Sequence, residues 1–137
     1  LHNRTHSFPT RRSSDLDDAK IRRLISATLG RSGCEVIETA DGRDTLRRFQ
    51  EDRDSGRPVD LIICDLTIVG GLGGVETMHE IRRLDGEVPA IVSSGYSDAP
   101  AMAHPEEYGF NAVLPKPYPP SELRRMVLET LEAKIRV

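Results

Sequence analysis

The sequence has no tryptophan, and aromatic residues make up only 4% of its 137 positions. Its core must therefore be aliphatic. It has just two cysteines, Cys34 and Cys64, both at predicted strands. That is too few for a disulfide framework, and buried reduced thiols in a cytosolic protein are the expectation. No apolar run approaches the ~20 residues needed to span a bilayer. No N-terminal segment has the charged-then-apolar pattern of a signal peptide. A cytoplasmic domain without membrane contact is therefore expected. Excess positive charge is also lacking: the formal net charge is −3, which argues against direct nucleic-acid binding. What remains is an ordinary soluble balance, 37% hydrophobic and 30% charged, in a chain long enough for one domain with a single core.

The informative stretch is Asp60-Leu61-Ile62-Ile63-Cys64-Asp65, followed by Gly70, Gly71, Gly73 and Gly74. An apolar run without alternation reads as a strand covered on both faces. It delivers Asp65 to an open sheet end. Around it, Ile21, Leu24, Ile25 and Leu29 recur at helical spacing and predict a helix over 18–31, closed by Gly30 and Gly33. A strand is expected over 35–39. Asp41 can cap a helix with Leu46 and Phe49 on its inner face. Further helices are expected over 75–84 and from Pro120 onward, the last with Leu123, Met126, Val127 and Leu131 inward. Strands are expected at 89–93 and 112–114. A helix near 99–108 conflicts with Pro100 and Pro105. Strands alternating with helices predict an α/β fold, a parallel sheet wound on both faces. The pattern lacks a strand before the first helix.

In such a sheet, ligands bind beyond the C-terminal strand ends. Those ends present Asp17-Asp18, Asp65, Ser93-Ser94-Gly95 and Lys116-Pro117. Clustered carboxylates need a cation, and Mg²⁺, with its demand for hard oxygen ligands, suits them. A carboxylate beside Mg²⁺ can attack an activated phosphoryl group and form an acyl phosphate. Lys116 can neutralise one phosphoryl oxygen, and the Ser94 hydroxyl can donate to another. Pro117 can fix the chain after Lys116 through a cis bond. Alone, a strand-end aspartate is more often a cap or a solvated loop residue. Ser94 and Lys116 at matching ends are what give Asp65 its meaning. His79 and His104 have no ligand-spaced partners and are expected to face solvent. The arginine pairs 22/23, 47/48, 82/83 and 124/125 read as solvated helix faces, with one pair available to dock a partner.

Asp17-Asp18, Ala40-Asp41-Gly42, Asp65, Gly73-Gly74, Ser94-Gly95 and Lys116-Pro117-Tyr118 together resemble the motifs of response-regulator receiver domains, the CheY-like superfamily, over about residues 17–133. The resemblance implies a flavodoxin-like (βα)₅ fold. It also implies a partner, a histidine kinase or a histidine phosphotransfer domain, that donates phosphate. By position, Asp65 is the phosphoacceptor, with Ser94 and Lys116 assisting. Asp17, Asp65 and the backbone carbonyl of Thr67 are the implied Mg²⁺ ligands. The implied protein is a signalling receiver that catalyses its own phosphoryl acceptance and slow loss, not an enzyme acting on other substrates. Residues 65–74 and 90–97 are similar to receivers at the C-terminal end of hybrid sensor histidine kinases. A chain closing just after its last helix fits that placement, although a stand-alone receiver would end the same way.

The sequence departs from the pattern in places. Leu16 stands where the first acid of the usual pair belongs, which puts metal affinity in doubt. Val69 replaces a frequent proline, and Val113 a switching aromatic. Residues 5–16, Thr-His-Ser-Phe-Pro-Thr-Arg-Arg-Ser-Ser-Asp-Leu, resemble a translated sequencing adapter. Residues 1–16 are thus expected to be a non-native, disordered segment that replaces the native first strand. Residues 17–137 would be a receiver domain lacking that strand, marginally stable and with an incomplete site. Two competing functions remain: a phosphorylation-independent pseudo-receiver that acts as an interaction module, and a small aspartate-nucleophile phosphatase. The second usually needs an acid where Thr67 stands.

Overall fold

A computed structural model describes the backbone of residues 3–9, 15–31, 34–38, 42–66, 73–95 and 99–135, and side chains within 23–31, 42–66, 73–95 and 99–133. Five parallel strands form one sheet: β1 (Asn3–Pro9), β2 (Cys34–Glu38), β3 (Leu61–Asp65), β4 (Ala90–Ser94) and β5 (Ala112–Pro115), in the order β2-β1-β3-β4-β5. Helices α1 (Asp15–Arg31), α2 (Gly42–Asp54), α3 (Gly74–Leu84), α4 (Pro100–Ala103) and α5 (Pro120–Ile135) connect and flank them. This is the doubly wound, flavodoxin-like α/β fold. Its strand order reverses between β1 and β3, the crevice where such folds place their ligands.

All five residues of β3 and all five of β4 are buried. The pleat then divides them between two cores. Ile62, Cys64, Ala90 and Val92 pack with Phe49, Met78, Ile81 and Met102 of α2, α3 and α4. Leu61, Ile63 and Ile91 pack with Ile25 and Leu29 of α1 and Leu123 and Val127 of α5. A strand covered on both faces needs apolar side chains at every position, hence the unbroken run in the sequence. Met126 and Leu131 pack more loosely on the second core.

Where the sequence predicts no strand, Asn3–Pro9 forms β1 at the centre of the sheet, in register with both β2 and β3. Strand propensity did not mark it, because Asn, Arg, His and Ser are poor strand formers; sheet context overrides propensity here. α1 also begins earlier than expected, at Asp15, so Asp17 and Asp18 lie in its first turn and not at a strand end. The helix runs through Gly30 to Arg31; Gly33, Asp41 and Thr67 lie outside the described residues.

The two prolines that cast doubt on a helix near 99–108 each start a short one. Pro100 opens α4, and Pro105 opens a 3₁₀ turn over Pro105–Tyr108, with His104 between them. Proline suits a first helical position, where its missing N–H has no partner to lose. Gly109 then ends the turn at φ +88°, a left-handed conformation that favours glycine. Arg82, expected on a solvated face, is half-buried against it. Its Nε and Nη2 donate to the Gly109 carbonyl at 3.0 and 2.7 Å, and Nη2 donates to Asn111 Oδ1 at 3.3 Å. Asn111 Oδ1 also accepts from the Ala90 amide at 2.8 Å. Arg82 thereby ties α3 to the turn that feeds β5.

Candidate functional site

Three strand ends meet at one rim. Backbone hydrogen bonds fix their relative heights: the Leu66 amide donates to the Ser93 carbonyl at 2.7 Å, and the Lys116 amide to the Ser94 carbonyl at 3.0 Å. Asp65 and Ser93 are direct register partners across β3 and β4, and Ser94 pairs with Pro115, just before Lys116. Pro9 of β1 stands level with Asp65 on the other side.

On this frame Lys116 Nζ donates to Asp65 Oδ2 at 2.6 Å. The two side chains are only 17% and 9% exposed, so their attraction is weakly screened compared with a surface pair. The Lys116-Pro117 peptide bond is cis, as the sequence suggested. Ser94 is buried at the end of β4, 2% exposed. The structure therefore brings together Asp65, Ser94 and Lys116 as expected from sequence. Asp17 is placed by its backbone in α1, its side chain lying outside the described residues, as does all of Thr67.

Asp65 offers a hard carboxylate oxygen, the donor type that Mg²⁺ takes. Among the described residues, no group of three or more His, Cys, Asp or Glu forms a metal cluster. Asp65 is thus the one expected ligand whose side-chain position is described, and its Oδ2 is engaged by Lys116.

Sequence reasoning passed over two hydroxyls beside this site. Ser93 is 1% exposed, and Tyr118, two residues past Lys116, packs against the α1/α5 core. Both hydroxyl oxygens, Ser93 Oγ and Tyr118 Oη, are buried. Burial pushes the Tyr118 phenol up to about 12; the Asp65 carboxylate adds to the shift, and the nearby Ser93 hydroxyl opposes it. The available signal was the position of Tyr118 directly after Lys116-Pro117.

A phenol raised in the fold stays protonated where the unfolded one ionises. Its contribution is fully present below the unfolded value near 10 and is lost as pH rises toward the folded value of about 12. Stability should therefore fall by about 2 kcal/mol across that window. Urea unfolding at pH 9 and pH 12 checks this, and Tyr118→Phe should flatten that part of the pH dependence. An equal alkaline loss in the variant would assign it to other groups.

Elsewhere, burial pushes the Cys64 thiol well up, with the charges of Asp65 and Glu76 adding. Cys64 is a free, fully buried thiol, packed as a small hydrophobe beside the rim; the Cys34 side chain lies outside the described residues. His79 and His104 are exposed, as expected. No helix among the described residues is long and apolar enough to cross a membrane.

The fold and this rim define a small α/β module that presents one lysine-paired carboxylate at its topological switch point. Residues 16–128 match the response regulator receiver domain family, and the chain belongs to that family. It is 30% identical over 115 residues to the probable transcriptional regulator ycf27 of Porphyridium aerugineum, covering 84% of this chain and 45% of that protein. The chain spans less than half the length of the first curated relatives it matches. Among solved structures it is similar to a CheY-like response regulator receiver domain protein from Methanospirillum hungatei, with TM-score 0.81, 19% identity, and 99% and 98% of the two chains covered. It is also similar to the response regulator TrrA of Thermotoga maritima in complex with Mg²⁺-BeF, with TM-score 0.74, 22% identity, and 93% and 98% covered. At these identities the structural likenesses speak to fold.

Proposed function

We propose that this chain is a phosphoacceptor module of a two-component His-Asp phosphorelay, with Asp65 the accepting residue. The observation that carries the reading is the nearly buried Asp65 carboxylate at the end of β3, held by Lys116 at 2.6 Å. An Asp65 oxygen attacks the phosphorus of a phosphohistidine on a kinase or phosphotransfer partner. The new P–O bond forms as the P–N bond breaks, and the imidazole leaves. Lys116 releases its bond to Asp65 and balances the charge on a phosphoryl oxygen. The Ser94 hydroxyl donates to another and moves inward, shifting the loop after β4. Asp65, with Asp17 and the Thr67 carbonyl as the expected further ligands, would hold Mg²⁺, which would supply neutralising charge to the transferring group.

The finer placement proposed is a cytoplasmic C-terminal receiver of a hybrid sensor histidine kinase, supported by the likeness of residues 65–74 and 90–97. Residues 1–16 are proposed to be non-native, leaving a receiver domain from 17 onward without its own first strand. The adapter-like composition supports this, and so does a family match that begins only at residue 16. Leu16 in place of an acid favours the second reading, a phosphorylation-independent interaction module.

Acetyl phosphate with Mg²⁺ separates the two. Intact-mass measurement should show one added phosphoryl group on the wild type and none on Asp65→Asn. A variant that still gains phosphate would place the acceptor elsewhere. A wild type that gains none, even with an apolar first strand supplied, would leave the interaction-module reading standing.

A further inference from the structure

β5 is an edge strand, paired with β4 alone, and of its four residues only Leu114 is fully buried. A strand with so little of its pattern in the core has a weakly specified register. The site nevertheless depends on that register, because Lys116 follows β5 directly and reaches Asp65 at 2.6 Å. A two-residue slip would leave each side chain on its own face and carry Lys116 about 6–7 Å along the sheet. At the other end of the strand, Asn111 grips one residue of β4 twice. Its backbone amide donates to the Ala90 carbonyl at 2.8 Å, and its Oδ1 accepts from the Ala90 amide at 2.8 Å. Ala90 is fully buried, so a shift that withdrew Oδ1 would strand its amide at a cost. Arg82 steadies the Asn111 side chain from α3: Nη2 donates to Oδ1, while Nε and Nη2 hold the Gly109 carbonyl. Arg82 Nη1 also donates to the Asp85 carbonyl at 3.3 Å, which fixes the guanidinium from a second side.

We propose that Asn111, braced by Arg82, is a positioning residue for Lys116: it clamps β5 to Ala90 in the register that sets the Lys116 ammonium against Asp65. Asn111 and Lys116 lie about 16 Å apart along the strand direction, so Asn111 does not touch the reacting atoms. Register pairs run without a break from the clamp to the rim, from Ile91 with Ala112 to Ser94 with Pro115. The Lys116 amide then closes the ladder on the Ser94 carbonyl at 3.0 Å. A shift at Asn111 is therefore passed along the strand to Lys116. The clamp uses an acceptor oxygen, so aspartate can replace asparagine there and alanine cannot. The consequence for phosphoryl transfer rests on Asp65 being the phosphoacceptor; the consequence for the Lys116–Asp65 pair does not.

The test uses the full chain with Asn111→Ala, Asn111→Asp, Arg82→Met and, as a packing control on α5, Met126→Ala. Acetyl-phosphate labelling in Mg²⁺ is followed by intact mass, well below each thermal midpoint. Asn111→Ala should label about 10-fold more slowly, the scale of a displaced reacting group. Asn111→Asp should restore the wild-type rate. Arg82→Met keeps the stem without the brace and should fall between the two; it decides the matter if Asn111→Ala does not fold. Met126→Ala should lower the midpoint and leave the rate unchanged, which separates positioning from ordinary structural support. A second readout is the coupling between Lys116 and Asp65, from a double-mutant cycle of Lys116→Ala and Asp65→Asn in urea unfolding. In the Asn111→Ala background it should fall by about half or more. A wild-type rate in the clamp variants, equal slowing in Asn111→Ala and Asn111→Asp, equal slowing in Met126→Ala, or undiminished coupling would each overturn the clamp. A wild type that gains no phosphate overturns the phosphoacceptor reading alone, and the coupling then decides the clamp.

Discussion

Replacing Lys116 by alanine is expected to lower the stability of the folded chain by about 3 kcal/mol at neutral pH. The substitution leaves the Asp65 carboxylate, whose side chain is 9% exposed, charged and without its cation. The cost arises from that stranded charge more than from the lost contact. Asp65→Asn should therefore be far milder: Lys116 keeps a long aliphatic stem and 17% exposure, and its ammonium can reach water. In the double variant Asp65→Asn/Lys116→Ala most of the loss should disappear, since no charge is left unpaired. The pH dependence has a definite sign. A buried carboxylate without a counter-charge favours its neutral form, so the Lys116→Ala deficit should be full at neutral pH and shrink in acid. Urea unfolding of the four proteins at pH 7 and pH 4.5 reads this. A Lys116→Ala protein as stable as the wild type at pH 7 would mean that the pair is solvated and energetically idle. Its loss should also impair phosphoryl acceptance, because the Lys116 ammonium is the charge that balances a phosphoryl oxygen in the proposed transfer.

The site was legible from sequence because each part sits where a local pattern changes. Asp65 ends an apolar run, Ser94 ends another, and Lys116 follows a third. Burial on both faces forces those runs to be continuous, and the first polar residue after each marks the rim. The helices announced themselves by apolar spacing, as Ile25, Leu29, Leu123 and Val127 do in the α1/α5 core. Long-range features were not legible. Arg82 looked like its neighbour Arg83, and only folding brings it to the carbonyl of Gly109, 27 residues away. Ser93 carried no local pattern that could reveal its hydroxyl beside the carboxylate, and Tyr118 was marked only by following Lys116-Pro117. Pro100 and Pro105 were read as breakers, whereas each begins a turn of helix. The first strand has a different cause: in Asn3–Pro9 only Thr5 and Phe8 are strand-favouring residues, where a central strand calls for an apolar run.

That mismatch gives the second prediction, a large gain in stability on making β1 apolar. Thr5, His6 and Ser7 are in register with Leu61, Ile62 and Ile63 of β3, all three buried to within 1%. β1 also pairs with β2 on its other side, so it is a central strand of a parallel sheet, the position that normally carries Val, Ile and Leu throughout. At such positions a buried Val or Ile contributes about 1.5–3 kcal/mol. Pro9 adds a second defect, since it has no N–H to offer the ladder level with Asp65. The triple variant Thr5→Val/His6→Ile/Ser7→Ile should raise unfolding stability by about 3 kcal/mol or more. The unmodified chain should melt broadly, and the variant should melt at a higher temperature with a sharper transition. An unchanged midpoint would mean that the sheet tolerates Thr5, His6 and Ser7 as they are, and that residues 1–16 serve as a true first strand. A raised midpoint accompanied by faster acetyl-phosphate labelling of Asp65 would tie the order of β1 to the site at its end, because Pro9 and Asp65 share one level of the sheet.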